Sequence, residues 1–429
     1  MGNLMRRRGG LSGRGRPALA VALTAIVLTV AACGSDGSSD SSSGGGTGSS
    51  ADTSALDAIS DADVQATVDK AMLTDAVSLD SLDPTVQLAF RRATMELTDE
   101  QLDKAFECWS GTSCDIGDGD TILGIAEAYG QNQWRKISKM EVILQALTYP
   151  EIGKIIFTDA QGDLAKFQSN VRSLAAQGAK AIVSYNDFGA AALPAFQAAQ
   201  AQGAKISTYV GPVPDAPATS LANQVHGDVC AVGEEMAKVS DEDLGLTGEV
   251  AILNGTPGNP QGATWNKCFE EKLQNATVGA KQDTDWTLAG AFDAASALVS
   301  SGKDYSGIFY DYADPIPQVV DAYDKAGAKM PAVVTWTSNN GMAKVWEAKL
   351  GTPDEFPIYY TNALNWQGRV SVTAVMSLLA GDDAAADIVV PQPFVKAEKG
   401  LYDSSKPDDY PGPSVLVPDS LMTRMLSAS

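Results

Sequence analysis

The chain has 429 residues, 44% of them hydrophobic, which is enough for two or three domains that each bury a core. Its 31 basic and 53 acidic residues give a formal net charge of −22, which disfavours binding to nucleic acid or anionic lipid headgroups. The chain contains a single histidine and five cysteines without a C-x-x-C pair, so a zinc site is disfavoured. We therefore expect a globular protein that needs no metal or cofactor.

The amino terminus reads as an export signal. Five arginines precede an apolar run over residues 17–30, which is shorter than the ~18 residues of a membrane-spanning helix. The run ends in Val30-Ala31-Ala32-Cys33, which resembles the bacterial lipobox, in which the cysteine is acylated and becomes the mature amino terminus. The alternative is an ordinary cleavage site with a chance cysteine. We predict a signal peptide over 1–32, lipidation of Cys33, and an exported protein anchored to the outer face of the cell membrane.

The next segments are a tether and a helical extension. Residues 33–54 are mostly Ser, Gly and Asp, which cannot bury enough surface to fold. Residues 55–118 carry helical patterns with N-cap signals, which predict two to four helices. This extension is interpreted as a packing module, with a partner-binding surface as the alternative.

Cysteine counting predicts two disulfides. Lipidation of Cys33 leaves an even number of cysteines in an oxidising compartment. Cys108 and Cys114 bracket a short loop, and Cys230 and Cys268 fall on two predicted helices that flank one sheet. We therefore predict the pairs Cys108 to Cys114 and Cys230 to Cys268.

From residue 121 onward the chain alternates strands and helices. Ile122 to Ala126 is an apolar run without alternation, typical of a strand covered on both faces, and Trp134 opens a helical pattern behind it. Similar runs predict further strands at 154–157, 181–185, 205–210, 249–253, 306–310, 332–337 and 358–362. This pattern predicts an α/β fold with parallel sheets. Ligands of such sheets bind outside the carboxyl ends of the strands.

The order of these elements, together with the lipobox, AIVSYND at 181–187 and GTPGNPQGATWNKCFEEKL at 255–273, resembles the type I periplasmic binding proteins that deliver sugars to ABC importers. The resemblance covers about residues 120–394. It implies two Rossmann-like lobes joined by three crossing strands, which close on a sugar held between them. The implied division assigns 119–226 and 363–388 to an N-terminal lobe, and 227–362 and 389–422 to a C-terminal lobe.

The resemblance also implies a set of ligand contacts at strand ends and crossings. Carried over position by position, the set is Gln133, Trp134, Asn186, Asp187, Asp228, Trp265, Tyr312, Thr337 and Asn362. Where the pentose and hexose binders have Asp-Arg, Arg and Asp, this chain has Val210-Gly211, Trp265 and Thr337. Because no arginine remains in the set, we expect a neutral sugar or polyol. The implied partners are an ABC permease and its ATPase, and the protein is expected to be a monomer that contacts the membrane only through its lipid.

Other interpretations of these residues remain open. Each tryptophan can be a core residue, and Asp187 can serve as a helix N-cap. The loop GTPGNPQG lacks the Gly-Lys-Ser/Thr ending of a phosphate-binding loop, and no local pattern places two of Asp283, Asp285 and Asp311 across a glycosidic bond. An enzyme is therefore disfavoured. A sensor that docks on a receptor, and a binder of a planar ligand such as a nucleoside, are the alternatives to an importer component.

Overall fold

Two mostly parallel β-sheets organise the chain in the computed structural model, which describes residues 56–130 and 132–428. The strands are β1 (Ser113–Asp115), β2 (Thr121–Glu127), β3 (Ile152–Asp159), β4 (Ala181–Tyr185), β5 (Lys205–Tyr209), β6 (Asn223–Gly227), β7 (Gly248–Asn254), β8 (Ala276–Asp283), β9 (Tyr305–Tyr310), β10 (Ala332–Thr335), β11 (Ile358–Thr361), β12 (Asp387–Val390) and β13 (Phe394–Lys396). The predicted signal peptide, Cys33 and the tether lie outside the described residues.

Helices cover both faces of the sheets, as the alternating pattern predicted. They are α1 (Asp61–Met72), α2 (Pro84–Ala93), α3 (Asp99–Ser110), α4 (Gln133–Ala146), α5 (Leu164–Ala176), α6 (Leu193–Gln200), α7 (Val229–Lys238), α8 (Pro260–Lys272), α9 (Leu288–Ser300), α10 (Ile316–Ala326), α11 (Asn340–Glu347), α12 (Gln367–Ala380) and α13 (Asp419–Ser427). No helix in the described ranges combines the length and the apolar content needed to cross a membrane.

Each sheet forms the centre of one lobe. The first sheet has the order β1-β3-β2-β4-β5-β6-β12, and only β1 runs antiparallel to its neighbour. The second has the order β13-β11-β10-β9-β7-β8, and only β13 runs antiparallel to its neighbour. We call the sheets and the helices that cover them the first lobe and the second lobe. The predicted α/β fold with parallel sheets is confirmed.

As far as β13, the chain crosses between the lobes three times, as the resemblance implied. The crossings are the links from β6 to α7, from β11 to α12 and from β12 to β13. A fourth passage then brings the carboxyl-terminal segment back to the first lobe. The amide of Gly412 donates to the Ser338 carbonyl at 2.9 Å in the second lobe, and the amide of Leu416 donates to Glu141 at 2.8 Å in the first.

This return changes the assignment of the carboxyl-terminal residues. The resemblance implied that 389–422 belong to the second lobe, but Leu421 and Met422 of α13 are buried in the core of the first. Strand β1, which the sequence placed in the extension, pairs with β3 of the first sheet. Both contacts join residues that are distant in the sequence, so local periodicity carried no signal for them.

The helical extension packs over the crossings. Its three helices α1 to α3 agree with the predicted two to four. Val68 of α1 and Phe90 of α2 share an apolar cluster with Trp366 at the second crossing and with Val390 of β12. The rings of Phe90 and Trp366 lie 5.0 Å apart. Leu73, just after α1, packs against the core of the second lobe. The extension therefore contacts both lobes as well as the hinge between them.

Candidate functional site

The carboxyl end of β2 and the start of α4 form the first-lobe part of the site. Asn132 caps α4, because its side chain accepts a hydrogen bond from the Arg135 amide at 2.9 Å. This cap fixes the orientation of Trp134, whose ring meets Tyr185 edge-on with 5.6 Å between centroids. The indole Nε1 donates to the Ala363 carbonyl at 2.7 Å, so Trp134 ties the first lobe to the second crossing.

Arg135 is the centre of a charged network that the predicted set omitted. Its Nη2 donates to both carboxylate oxygens of Asp187, at 2.9 and 2.8 Å, and its guanidinium lies 3.2 Å from the centroid of the Tyr185 ring. Its Nη1 is 3.5 Å from Oε2 of Glu127, and the other oxygen of that carboxylate, Oε1, accepts a hydrogen bond from the Tyr209 hydroxyl. Burial raises the pKa of Glu127 to about 7, although Arg135 and Tyr209 oppose the shift. The arginine charge is therefore balanced within the first lobe.

A pocket lies between the lobes and is lined by residues of both of them. We call it the interlobe pocket. Four predicted contacts meet there: Gln133, Trp134, Tyr312 and Thr337. The other lining residues are Ile137, Asp314, Ser338, Asn339, Ala363, Asn365, Asp409 and Pro411. The structure therefore brings four of the nine predicted contacts together around one cavity.

The remaining five predicted residues are engaged elsewhere. Trp265 was predicted to contact the ligand, and the structure contradicts this prediction. Its side chain is fully buried in the second-lobe core, with its ring 6.1 Å from the Trp336 ring, and has no face open to a ligand. Asn362 is also fully buried and donates to the Pro391 carbonyl at 3.2 Å. Neither side chain reaches the interlobe pocket.

Asn186, Asp187 and Asp228 have local structural partners. The Asn186 side chain binds its own loop through the Gly189 carbonyl, at 3.0 Å, and the Phe188 amide, at 3.0 Å. Asp228 caps α7, where it accepts from the amides of residues 230 and 231. Asp187 is not the N-cap that the alternative interpretation suggested; it pairs with Arg135, and its side chain remains 41% exposed. Of the three, Asp187 therefore combines a charged partner with access to solvent.

A second pocket lies at the carboxyl ends of β7, β8 and β9. We call it the second-lobe pocket. Its lining includes Asn254, Asn266, Asp283 and Asp311 together with the glycine-rich loop. Asp311 directly precedes Tyr312 of the interlobe pocket, so the loop after β9 contributes to both pockets. None of these four residues was among the predicted contacts.

Trp286 supports one wall of the second-lobe pocket. Its Nε1 donates to Oδ1 of Asp311 at 2.8 Å. The ring lies directly on Gly255, where an added Cβ would be only 1.9 Å from the indole, so glycine is required there. Asp285 and Trp286 both adopt positive φ, 52° and 53°, a strained conformation for residues other than glycine. This strained turn holds the indole against the loop and fixes the position of Asp311.

The other candidate chemistries find no site. His226 is held by Asp387, at 2.8 Å, and by the Gly227 carbonyl, at 2.9 Å, so it has structural partners. In the part of the chain that the structure describes, no three His, Cys, Asp or Glu side chains gather closely enough to hold a metal ion. The four remaining cysteines form the predicted pairs, Cys108 to Cys114 and Cys230 to Cys268.

Comparison with known proteins identifies the family. A family model described as a periplasmic binding protein domain matches residues 124–383. The chain belongs to the periplasmic binding protein family. The two lobes, the three crossings and the pocket between the lobes are those of a type I periplasmic binding protein. This family consists of ligand-binding proteins of ABC transporters that work outside the cytoplasm, and its members are not enzymes.

Individual relatives of this periplasmic binding protein are distant. The ribose import binding protein RbsB of Bacillus subtilis (strain 168) is 24% identical over 201 residues, which cover 46% of this chain and 64% of that protein. The match thus spans less than two thirds of the relative's length. An ABC transporter solute-binding protein of Mycobacterium smegmatis, solved with glycerol, has a TM-score of 0.57 at 17% identity, covering 68% of this chain and 99% of that one.

A third relative is the solute-binding protein of Bacillus halodurans C-125, solved with myo-inositol. Its TM-score is 0.56 at 16% identity, and the alignment covers 65% of this chain and 96% of that one. Both solved structures share the fold of this periplasmic binding protein.

Proposed function

We propose that this protein captures a sugar or polyol between its two lobes and delivers it to an ABC permease and its ATPase. The observation that carries the proposal is the interlobe pocket, because residues of both lobes line it and closure of the lobes would therefore enclose a ligand. The proposal includes the lipid anchor at Cys33, which would hold the protein at the outer face of the cell membrane.

The lining chemistry supports a hydroxylated ring. Trp134 and Tyr312 are aromatic side chains that can lie against the apolar C–H face of a sugar. Gln133, Thr337 and Asn365 offer amide and hydroxyl groups that can both donate and accept hydrogen bonds. The Gln133 Nε2 is buried and has no partner among the described residues, so a ligand oxygen would satisfy it.

Charge balance argues against an anionic ligand. The sequence-based argument for a neutral ligand rested on the absence of arginine from the predicted set of ligand contacts. The structure corrects this premise, because Arg135 lies beside that set and pairs with Asp187. However, Asp187 and Glu127 balance the charge of Arg135. The interlobe pocket itself is lined by the carboxylates of Asp314 and Asp409, and its described lining contains no Lys, Arg or His. A carboxylate or phosphate would meet like charges there. A neutral sugar or polyol therefore remains our proposal for this pocket. The two solved structures with glycerol and myo-inositol are consistent with this choice.

Replacement of Trp134 tests the interlobe pocket. We expect Trp134→Ala to weaken sugar or polyol binding by about 1 to 3 kcal/mol, because one aromatic face is lost from the ligand. The measurement is calorimetry against a panel of sugars, polyols, nucleosides and amino acids. Trp134→Phe is the matched control, since it keeps an aromatic face but loses the hydrogen bond to Ala363. Binding that is restricted to amino acids, or that is indifferent to both variants, would contradict the proposal.

Replacement of Cys33 tests the anchor. A serine hydroxyl cannot replace the thiol in the lipid-transfer step, so Cys33→Ser should move the protein from the membrane fraction to the medium. Fractionation followed by immunoblotting measures the change, and Gly34→Ala serves as a neighbouring control that should stay with the membrane. A Cys33→Ser protein that remains with the membrane would refute lipidation at this position.

A further inference from the structure

The second-lobe pocket presents mainly hydrogen-bond acceptors. Asp283 and Asp311 contribute carboxylates, and Asn254 and Asn266 contribute amide oxygens. The Asn259 side-chain oxygen is already used, because it accepts from the amides of Gln261 and Gly262 in the first turn of α8, at 2.8 and 3.1 Å. A ligand group that enters this pocket must therefore bring donors.

Asn266 is the side chain that most clearly requires such a donor. It is 7% exposed, and its Nδ2 donates to the Asn254 oxygen at 2.8 Å, which orients the amide. Its Oδ1 is buried and accepts no hydrogen bond from any described residue. A buried acceptor without a donor is unfavourable, and Asn266 lines the pocket, so a ligand group that enters the pocket can supply the donor.

The pocket also lacks a positive charge. Its described lining contains Asp283 and Asp311 but no Lys, Arg or His. The first lobe differs, because Arg135 there balances Asp187 and Glu127. Asp311 accepts a hydrogen bond from the Trp286 indole and has no cation among the pocket residues, and burial raises its pKa to about 6. A cation close to Asp311 would stabilise its ionised form.

We propose that the second-lobe pocket binds a protonated amino group of the captured ligand, so that the ligand is an amino sugar or an amino polyol. An ammonium group carries three donors and one positive charge, which match the acceptors and the carboxylates of this pocket. The inference rests on the proposed function: the interlobe pocket holds the neutral ring, and the second-lobe pocket holds the amine. The proposed ligand therefore differs from the neutral sugar or polyol predicted from the sequence by one positively charged amino group.

Calorimetry with matched ligand pairs tests the proposal. The pairs are glucosamine with glucose, galactosamine with galactose, mannosamine with mannose, and 1-amino-1-deoxysorbitol with sorbitol. We expect at least one amine to bind about tenfold or more tightly than its hydroxyl partner, because hydrogen bonds to charged groups are stronger than those between neutral groups. The N-acetylated form of each amino sugar keeps the nitrogen but removes its charge, and it should lose this advantage.

Two variants locate the effect. Asp311→Asn keeps an oxygen that can accept from Trp286 but removes the charge, so it should abolish most of the tenfold advantage of the amine. Asp293→Asn makes the same change in net charge at an exposed position on α9 and should leave the advantage intact. Thermal unfolding of both variants checks that each remains folded.

The outcomes separate the two proposals. An amine advantage that Asp311→Asn removes and Asp293→Asn retains supports the amine subsite. Binding of the parent sugars or polyols with equal or higher affinity overturns the amine subsite but leaves the proposed function intact. An amine advantage that persists in Asp311→Asn also overturns the subsite. Failure of every sugar, polyol and amine to bind overturns both.

Discussion

Arg369→Met should lower the free energy of unfolding by about 3 to 5 kcal/mol, the usual cost of removing one partner of a buried ion pair. Arg369 of α12 pairs through Nε with the carboxylate of Glu141 on α4, and the side chains are 6% and 0% exposed. Without the guanidinium, a buried carboxylate would keep one backbone donor, the amide of Leu416 at 2.8 Å. Methionine fills much of the volume of arginine, so the loss would report charge rather than a cavity.

Equilibrium unfolding in urea measures this change. The double variant Arg369→Met with Glu141→Gln is the matched control, because it removes both charges and should recover most of the lost stability. A loss below about 1 kcal/mol in the single variant, or no recovery in the double variant, would show that the pair is not the source of the effect.

Removal of the Cys230 to Cys268 disulfide should destabilise the second lobe by on the order of 3 to 4 kcal/mol. The bridge joins α7 to α8 across 38 residues, and its loss would enlarge the conformational freedom of the unfolded chain. The double serine variant, compared with wild type by urea unfolding monitored by circular dichroism, measures the effect.

The second disulfide supplies an internal comparison. Cys108 and Cys114 are separated by only 6 residues, so the double serine variant at these positions should lose less, about 2 kcal/mol in the same entropic account. If the short bridge proved more stabilising than the long one, strain or packing rather than loop closure would govern the stability of these links.

Burial explains how much of the fold was predictable. Strands β2, β4, β7, β9 and β10 are covered on both faces, so they read as apolar runs in the sequence. Strand β8 lies at the edge of its sheet, where seven of its eight residues are half-buried or exposed, and it produced no such run. Strands β12 and β13, of four and three residues, are too short to show a period.

The site was less predictable because orientation and distant contacts decide it. Trp265 follows the glycine-rich loop as the resemblance implied, but α8 is rotated so that Trp265 and Phe269 both face the core. Their spacing of four residues was a visible signal of a buried helical face. Arg135 gave no such signal, because its role depends on Asp187, which follows a different strand. Asp409 and Pro411 reach the interlobe pocket only through the fourth passage of the chain.

That fourth passage limits how far the lobes can separate. Gly412 is anchored to the second lobe through Ser338, and Leu416 to the first through Glu141. The four residue steps between these anchors can extend to about 14 Å at most, given the reach of a stretched chain. As long as both hydrogen bonds persist, the segment acts as a strap of fixed maximum length beside the interlobe pocket. The widest opening of the cleft on this side is then set by the length of the polypeptide and not by the ligand.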